Sequence, residues 1–116
     1  MRHPGTTSLC TIAAALALAT ACAVAGQAGE AAPPTVGQRD RSFSTEALDL
    51  RAGAVVRFVN DDAVAHNIVV RDPAGATQAS PLQRPGEHTD IAFPLAGEHE
   101  VRCALHPRMR MTVRTR

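Results

Sequence analysis

From Glu98 to Ala104 polar and apolar residues alternate: Glu98, Glu100 and Arg102 fall on one face, and His99, Val101 and Cys103 on the other. A period of two is the mark of a half-buried strand, so Cys103 ends a strand on its buried face. The chain then runs Cys103-Ala104-Leu105-His106-Pro107-Arg108-Met109, and Met111 to Thr115 begins another strand. A tight connection between the two strands can bring the sulfur of Cys103, the imidazole of His106 and the thioether of Met109 to one point. Pro107 restricts the backbone of His106 and removes a donor, which holds the loop short.

The rest of the chain supplies the strands such a loop needs. The domain proper is expected over 36–116. Ser42-Phe43-Ser44 opens an extended region that continues through Ala47-Leu48-Asp49-Leu50. Ala54 to Val59 alternates, with Val56 and Phe58 on one face and Val55 and Arg57 on the other. His66 to Arg71 and Glu87 to Phe93 read as further strands, the latter with Thr89, Ile91 and Phe93 on one face and His88 and Asp90 on the other. Asn60-Asp61-Asp62, Asp72-Pro73-Ala74-Gly75 and Leu95-Ala96-Gly97 are turn chemistry between them. Residues between Gly75 and Pro85 form a polar stretch without assigned structure. With no helical stripe anywhere, six to eight short strands with Gly/Pro turns predict an all-β sandwich.

The first 25 residues read as a signal peptide. Arg2 and His3 precede an apolar, Ala-rich run from Leu9 to Ala19, and small residues follow; this order describes secretion rather than a permanent membrane span. Ala23-Val24-Ala25 suits cleavage before Gly26. Alternatively, Leu18-Ala19-Thr20-Ala21-Cys22 is similar to a bacterial lipobox and would leave Cys22 lipidated, the one route to a membrane. Residues 26–35 read as a flexible linker. The expected location is the periplasm or beyond.

Export makes the cysteines informative. Cys10 leaves with the signal and Cys22 is lost or lipidated, so Cys103 is the one thiol of the mature domain and no internal disulfide can form. A lone cysteine in an oxidising compartment is a reactive thiol, an intermolecular bridge, a buried hydrophobe or a ligand. His106 and Met109 beside it, with Ala65-His66-Asn67-Ile68 upstream, favour ligation: one thiolate, two imidazoles and one thioether form a mononuclear copper ligand set. His88 and His99 are not expected to be ligands; His99 occupies a core-facing place, and Asp61 and Asp62 read as turn residues. All twelve basic residues are Arg, against eleven acidic ones. No basic run with interleaved aromatics occurs, so nucleic-acid binding has no support.

Taken together, Val36-Gly37-Gln38 with Phe43, Gly53 before Val56-Arg57-Phe58-Val59-Asn60, His66-Asn67, Ala96-Gly97 and the Cys103 loop resemble the cupredoxins, in particular the short amicyanin-like and plastocyanin-like proteins. The resemblance covers about Val36 to Val113. It implies a Greek-key β-sandwich holding one type 1 copper, cycling between Cu(I) and Cu(II), on His66, Cys103, His106 and Met109. It also implies that Asn67 spans from the His66 segment to the Cys103 loop. In amicyanin-like loops the residue after the cysteine is often a hydroxyl that pairs with this Asn; here it is Ala104, so the contact must go to backbone or be absent.

The function implied is single-electron transfer by a monomer that is not an enzyme, the chain being too short for a multi-copper oxidase or reductase. Its partner would be a c-type cytochrome or an oxidoreductase, docking where His106 reaches the surface beside Leu105, Arg108 and Arg110. The alternative is a copper-buffering or delivery protein using the same ligands without redox turnover. With three Phe, no Tyr and no Trp the core is modest, and a bound metal is expected to stabilise it.

Overall fold

The computed structural model describes residues 32–116. The expected signal segment lies outside the described residues. Nine strands follow in order: β1 (Thr35–Arg39), β2 (Ser42–Phe43), β3 (Ala47–Leu50), β4 (Ala54–Asn60), β5 (Val69–Arg71), β6 (Thr77–Ala79), β7 (His88–Phe93), β8 (Gly97–Arg102) and β9 (Arg110–Thr115). They form two sheets, one ordered β2-β1-β4-β7 and the other β3-β9-β8-β5-β6. The fold is an all-β sandwich, as the alternation predicts.

The inward faces are those the alternation selects. Val56 and Phe58 on β4, Ile91 and Phe93 on β7, and Val101 on β8 meet Val36, Ile68, Val70, Met111 and Val113 in one core. Phe43 packs edge-on against Phe58, with ring centroids 6.0 Å apart. Burying side chains of this size is worth roughly 1.5–3 kcal/mol each, so a core of valines and isoleucines with few rings suffices to close the two layers.

Four differences from the sequence reading have physical causes. β1 and β2 are a hairpin whose two-residue turn, Asp40 and Arg41, has φ of 51° and 57°. Such a turn usually carries Asn or Gly, so its residues give no hairpin signal. The chain from Phe43 to Leu50 is not one strand: β2 pairs with β1 in one sheet and β3 runs parallel to β9 in the other. The segment from His66 is likewise only partly strand. His66 makes an isolated antiparallel bridge to Gln83, and β5 begins at Val69. β6 lies within the polar stretch; all three of its residues are exposed, so no apolar face announces it.

Candidate metal centre

β8 and β9 pair antiparallel from Gly97↔Thr115 to Arg102↔Arg110. That register sets the loop: Cys103 and Met109 are the first residues past the last pair, one on each strand. The Cys103 N–H donates to the Met109 carbonyl at 3.2 Å, and the Met109 N–H donates to the His106 carbonyl at 2.9 Å. Two backbone bonds therefore fix where all three side chains leave the chain. Cys103 and Met109 are buried, and His106 is half-buried.

His66 arrives from the segment before β5, the strand that pairs with β8 on its other edge. Its backbone is held both ways by Gln83: His66 N–H to Gln83 O at 3.1 Å and Gln83 N–H to His66 O at 2.7 Å. Gln83 is itself buried, its side-chain amide donating to Phe58 O at 2.9 Å while its oxygen accepts from Gln38 Nε2 at 2.7 Å. Asn60 adds bonds from Nδ2 to Val64 O and Gln83 O, both at 2.9 Å. A buried polar network thus anchors the segment that carries the imidazole.

The result is a cluster. The ligating atoms of His66, Cys103 and His106 lie within 4.8 Å of one another, and the two rings have centroids 4.8 Å apart. Cys103 Sγ lies 3.7 Å from His66 Nδ1. Metal bonds of about 2.3 Å to sulfur and about 2.0 Å to nitrogen, as in zinc sites, opened to a trigonal angle, would hold such atoms about 3.7 Å apart. His106 Nδ1 is buried with no hydrogen-bond partner, a state that costs about 1–3 kcal/mol unless something fills it. Burial, then the nearby His66 and Arg41, push the His106 imidazole below its ordinary pKa, with Asp62 opposing. The shift favours the neutral ring, the form that ligates. A buried thiol and two imidazoles converging on one point fit a copper ion.

Asp62, read from the sequence as a turn residue, touches this cluster. Its Oδ2 lies 2.9 Å from His66 Nε2. The Arg41 backbone N–H, and after it His66, hold the Asp62 carboxyl down to about 2. An ionised carboxylate only accepts, so Nε2 donates to it and Nδ1 is the nitrogen that faces Cys103. Nothing in the turn pattern Asn60-Asp61-Asp62 signals this; the only trace is an acidic residue four positions before a histidine, in a segment without helix.

The other expected residues are placed as follows. Asn67 Oδ1 accepts the Ala104 N–H at 2.9 Å and lies 3.6 Å from Cys103 Sγ, so its link to the loop goes to backbone. Leu105, Pro107 and Arg108 line an open groove beside His106, together with Asp40 and Arg41 of the β1–β2 turn. Arg110 turns elsewhere: its Nε donates to Pro107 O at 3.1 Å and its guanidinium lies 3.8 Å from Glu100. His99 is buried in the core, edge-on to Phe93 with centroids 5.1 Å apart.

Residues 34–115 match the family model described as copper binding proteins, plastocyanin/azurin family. Among solved structures, an amicyanin variant in its Cu(I) form superposes with a TM-score of 0.67 at 23% identity, over 75% of this chain and 87% of that one. Amicyanin from Paracoccus versutus gives a TM-score of 0.67 at 25% identity, over 74% and 83%. A copper-containing nitrite reductase from Thermus scotoductus SA-01 matches at 31% identity and a TM-score of 0.67, over 75% of this chain but only 23% of that one. No curated protein sequence matches. The family, the fold and the His66–Cys103–His106 cluster agree on one copper.

Proposed function

Because the chain belongs to the plastocyanin/azurin family of copper-binding proteins, we propose that it is an exported electron carrier, moving single electrons through a type 1 copper held by His66, Cys103, His106 and Met109. The observation that carries the reading is the cluster itself: a buried thiol and two imidazoles within 4.8 Å, with His106 Nδ1 left free for a ligand. The bound copper supplies a one-electron couple. Cys103 gives the thiolate that holds either state, and the two imidazoles suit both. Met109, buried at the end of the same loop, would supply a soft thioether donor. Four protein donors leave no open position for a substrate, which favours a carrier over an enzyme.

His106 is the exit for the electron. Its ring lies at the groove walled by Leu105, Pro107, Arg108, Arg41 and Asp40, an apolar surface edged by two basic groups and one acidic one. That rim suits an acidic redox partner, such as a c-type cytochrome or an oxidoreductase. Arg108 and Arg41 supply the positive charge at this rim, because Arg110 is turned toward Glu100.

The test is the visible spectrum of the mature domain with one equivalent of Cu(II), beside Cys103→Ser. An intense blue band that vanishes in the variant, together with reversible reduction, is the expected result. A weakly absorbing complex indifferent to the substitution would remove Cys103 from the site and leave copper buffering as the function.

A further inference from the structure

We propose that Asp62 is a positioning residue for the copper centre, acting through His66: it fixes the ring and places a negative charge behind it that favours Cu(II). The inference rests on the reading of His66 as a copper ligand.

The carboxylate is held from every side. Oδ2 accepts from His66 Nε2 at 2.9 Å and from the Arg41 N–H at 3.0 Å; Oδ1 accepts the Ala63 N–H at 2.8 Å. The Asp62 N–H in turn donates to Asn60 Oδ1 at 2.9 Å, and Asn60 is bonded to Gln83, the same residue that clamps the His66 backbone. With backbone and Nε2 both fixed, the ring has one orientation left, and in it Nδ1 faces Cys103.

Charge adds to position. The His66 side chain is fully buried and that of Asp62 only 11% exposed, so water screens this pair little. A ligating histidine that donates its far N–H to a carboxylate is a more basic ligand than one bonded to a neutral carbonyl, and losing such a partner typically costs 10–100-fold in metal affinity. The added basicity and the negative charge both stabilise the higher oxidation state. The same Oδ2 steadies the left-handed Arg41 at the turn that walls the His106 groove, so one oxygen ties a copper ligand to the docking surface.

The experiment compares wild type with Asp62→Asn, Asp62→Ala and Asp61→Asn. An Asn oxygen in place of Oδ2 keeps the bonds to His66 and Arg41 and removes the charge; Ala removes both. Asp61 is exposed and controls for net charge. In the copper-loaded protein the midpoint potential is measured, and the His66 Nε2–H is followed by nitrogen-15 NMR in the apo and Cu(I) forms. Asp62→Asn is expected to keep the blue band while the Cu(II):Cu(I) affinity ratio falls about tenfold, an upward shift of about 59 mV for one electron. Asp61→Asn should move the potential several-fold less. The His66 Nε2–H should exchange slowly in wild type and rapidly in Asp62→Ala. A blue centre whose potential responds equally to both Asn substitutions, with the Nε2–H unaffected by Ala, overturns the proposal. Should wild type form no blue centre, the electron-transfer reading fails and the apo spectra alone decide: a His66 Nε2–H protected only when Asp62 is present supports the positioning role, and an unprotected one removes it.

Discussion

His99 and His66 are buried to the same degree, and their surroundings give them opposite roles. His99 sits within β8, its Nδ1 3.3 Å from Val113 O and its ring edge-on to Phe93, and its Nε2 meets nothing. His66 has Asp62 on one nitrogen and Cys103 on the other. His106 also has an unpartnered buried nitrogen, but two other donor atoms lie within 4.8 Å of it. A lone pair without a partner is therefore common to core and site; convergence of donors is what separates them. Position in the ladder explains the difference. His99 and Cys103 share the inward face of β8, yet His99 pairs with Val113 in mid-strand, while Cys103 lies just past the last pair, Arg102↔Arg110. There the backbone turns away and side chains from separate segments can meet.

If the packed end and the metal end are separable, Phe93→Ala should weaken one and spare the other. The ring is fully buried, and its loss is expected to cost the apo protein about 3–5 kcal/mol in urea denaturation. Copper-loaded protein that remains folded should keep the position of its blue band; a displaced band would mean that core packing reaches the ligands. Copper itself gives the next largest effect. With free metal a hundredfold above its dissociation constant, wild type should gain about 3 kcal/mol over the apo form. His99→Phe should keep that gain and His106→Ala should lose most of it, as read from thermal denaturation with and without copper. Equal losses in the two variants would abolish the distinction between the histidines.

Alternation made the inward faces of β4, β7 and β8 legible, because a period of two is local. The juxtaposition of Cys103 and His106 was legible for the same reason: spacing along one loop needs no tertiary information. Asp62, Gln83 and Arg41 were not. Their contacts with the site depend on which turn meets which rim, and their own residue types argue for solvent. Gln83 shows the limit well, a polar residue in a polar stretch that is almost wholly buried because Phe58 O and Gln38 satisfy its amide. β1 and β6 escaped too: the first is joined to β2 by a turn without glycine, and the second has no buried face.

A smaller effect sharpens the contrast from the side of His99. Its unpartnered Nε2 is a buried polar atom, and the side chain borders a cavity of about 150 Å³ lined by Val70, Ala92 and Leu95 but also by Asp72, Thr77 and Gln78. Phe at this position removes the unsatisfied atom, gives up one long bond to Val113 O, and can use the cavity for its extra volume. The apo domain should gain about 1 kcal/mol, with no change in the potential of the copper form. Destabilisation instead would show that the long bond or a trapped water contributes more than the bare nitrogen costs.

The smallest expected effect concerns Asp90, a second carboxylate whose setting differs from that of Asp62. Asp90 faces Arg57 across the β4–β7 pair, with bonds of 2.8 and 2.9 Å. The hydrogen bond from Arg57, and then its charge, lower the Asp90 carboxyl below its ordinary 3.8, against a raising contribution from desolvation. Unfolded chain therefore takes up the proton at a higher pH than folded chain does. The pair's contribution is whole above the ordinary value and fades as pH falls from there through the lowered folded one. Asp90→Asn should be slightly less stable than wild type at neutral pH, and the two urea midpoints should converge on acidification. Both side chains are about two-fifths exposed, so solvent and salt screen the pair, and high salt should erase the difference at any pH. Asp62, shielded at the rim and bonded to a buried ring, should respond to salt far less; a salt-sensitive Asp62→Asn effect on the potential would place that carboxylate with Asp90, on the surface, and not with the metal.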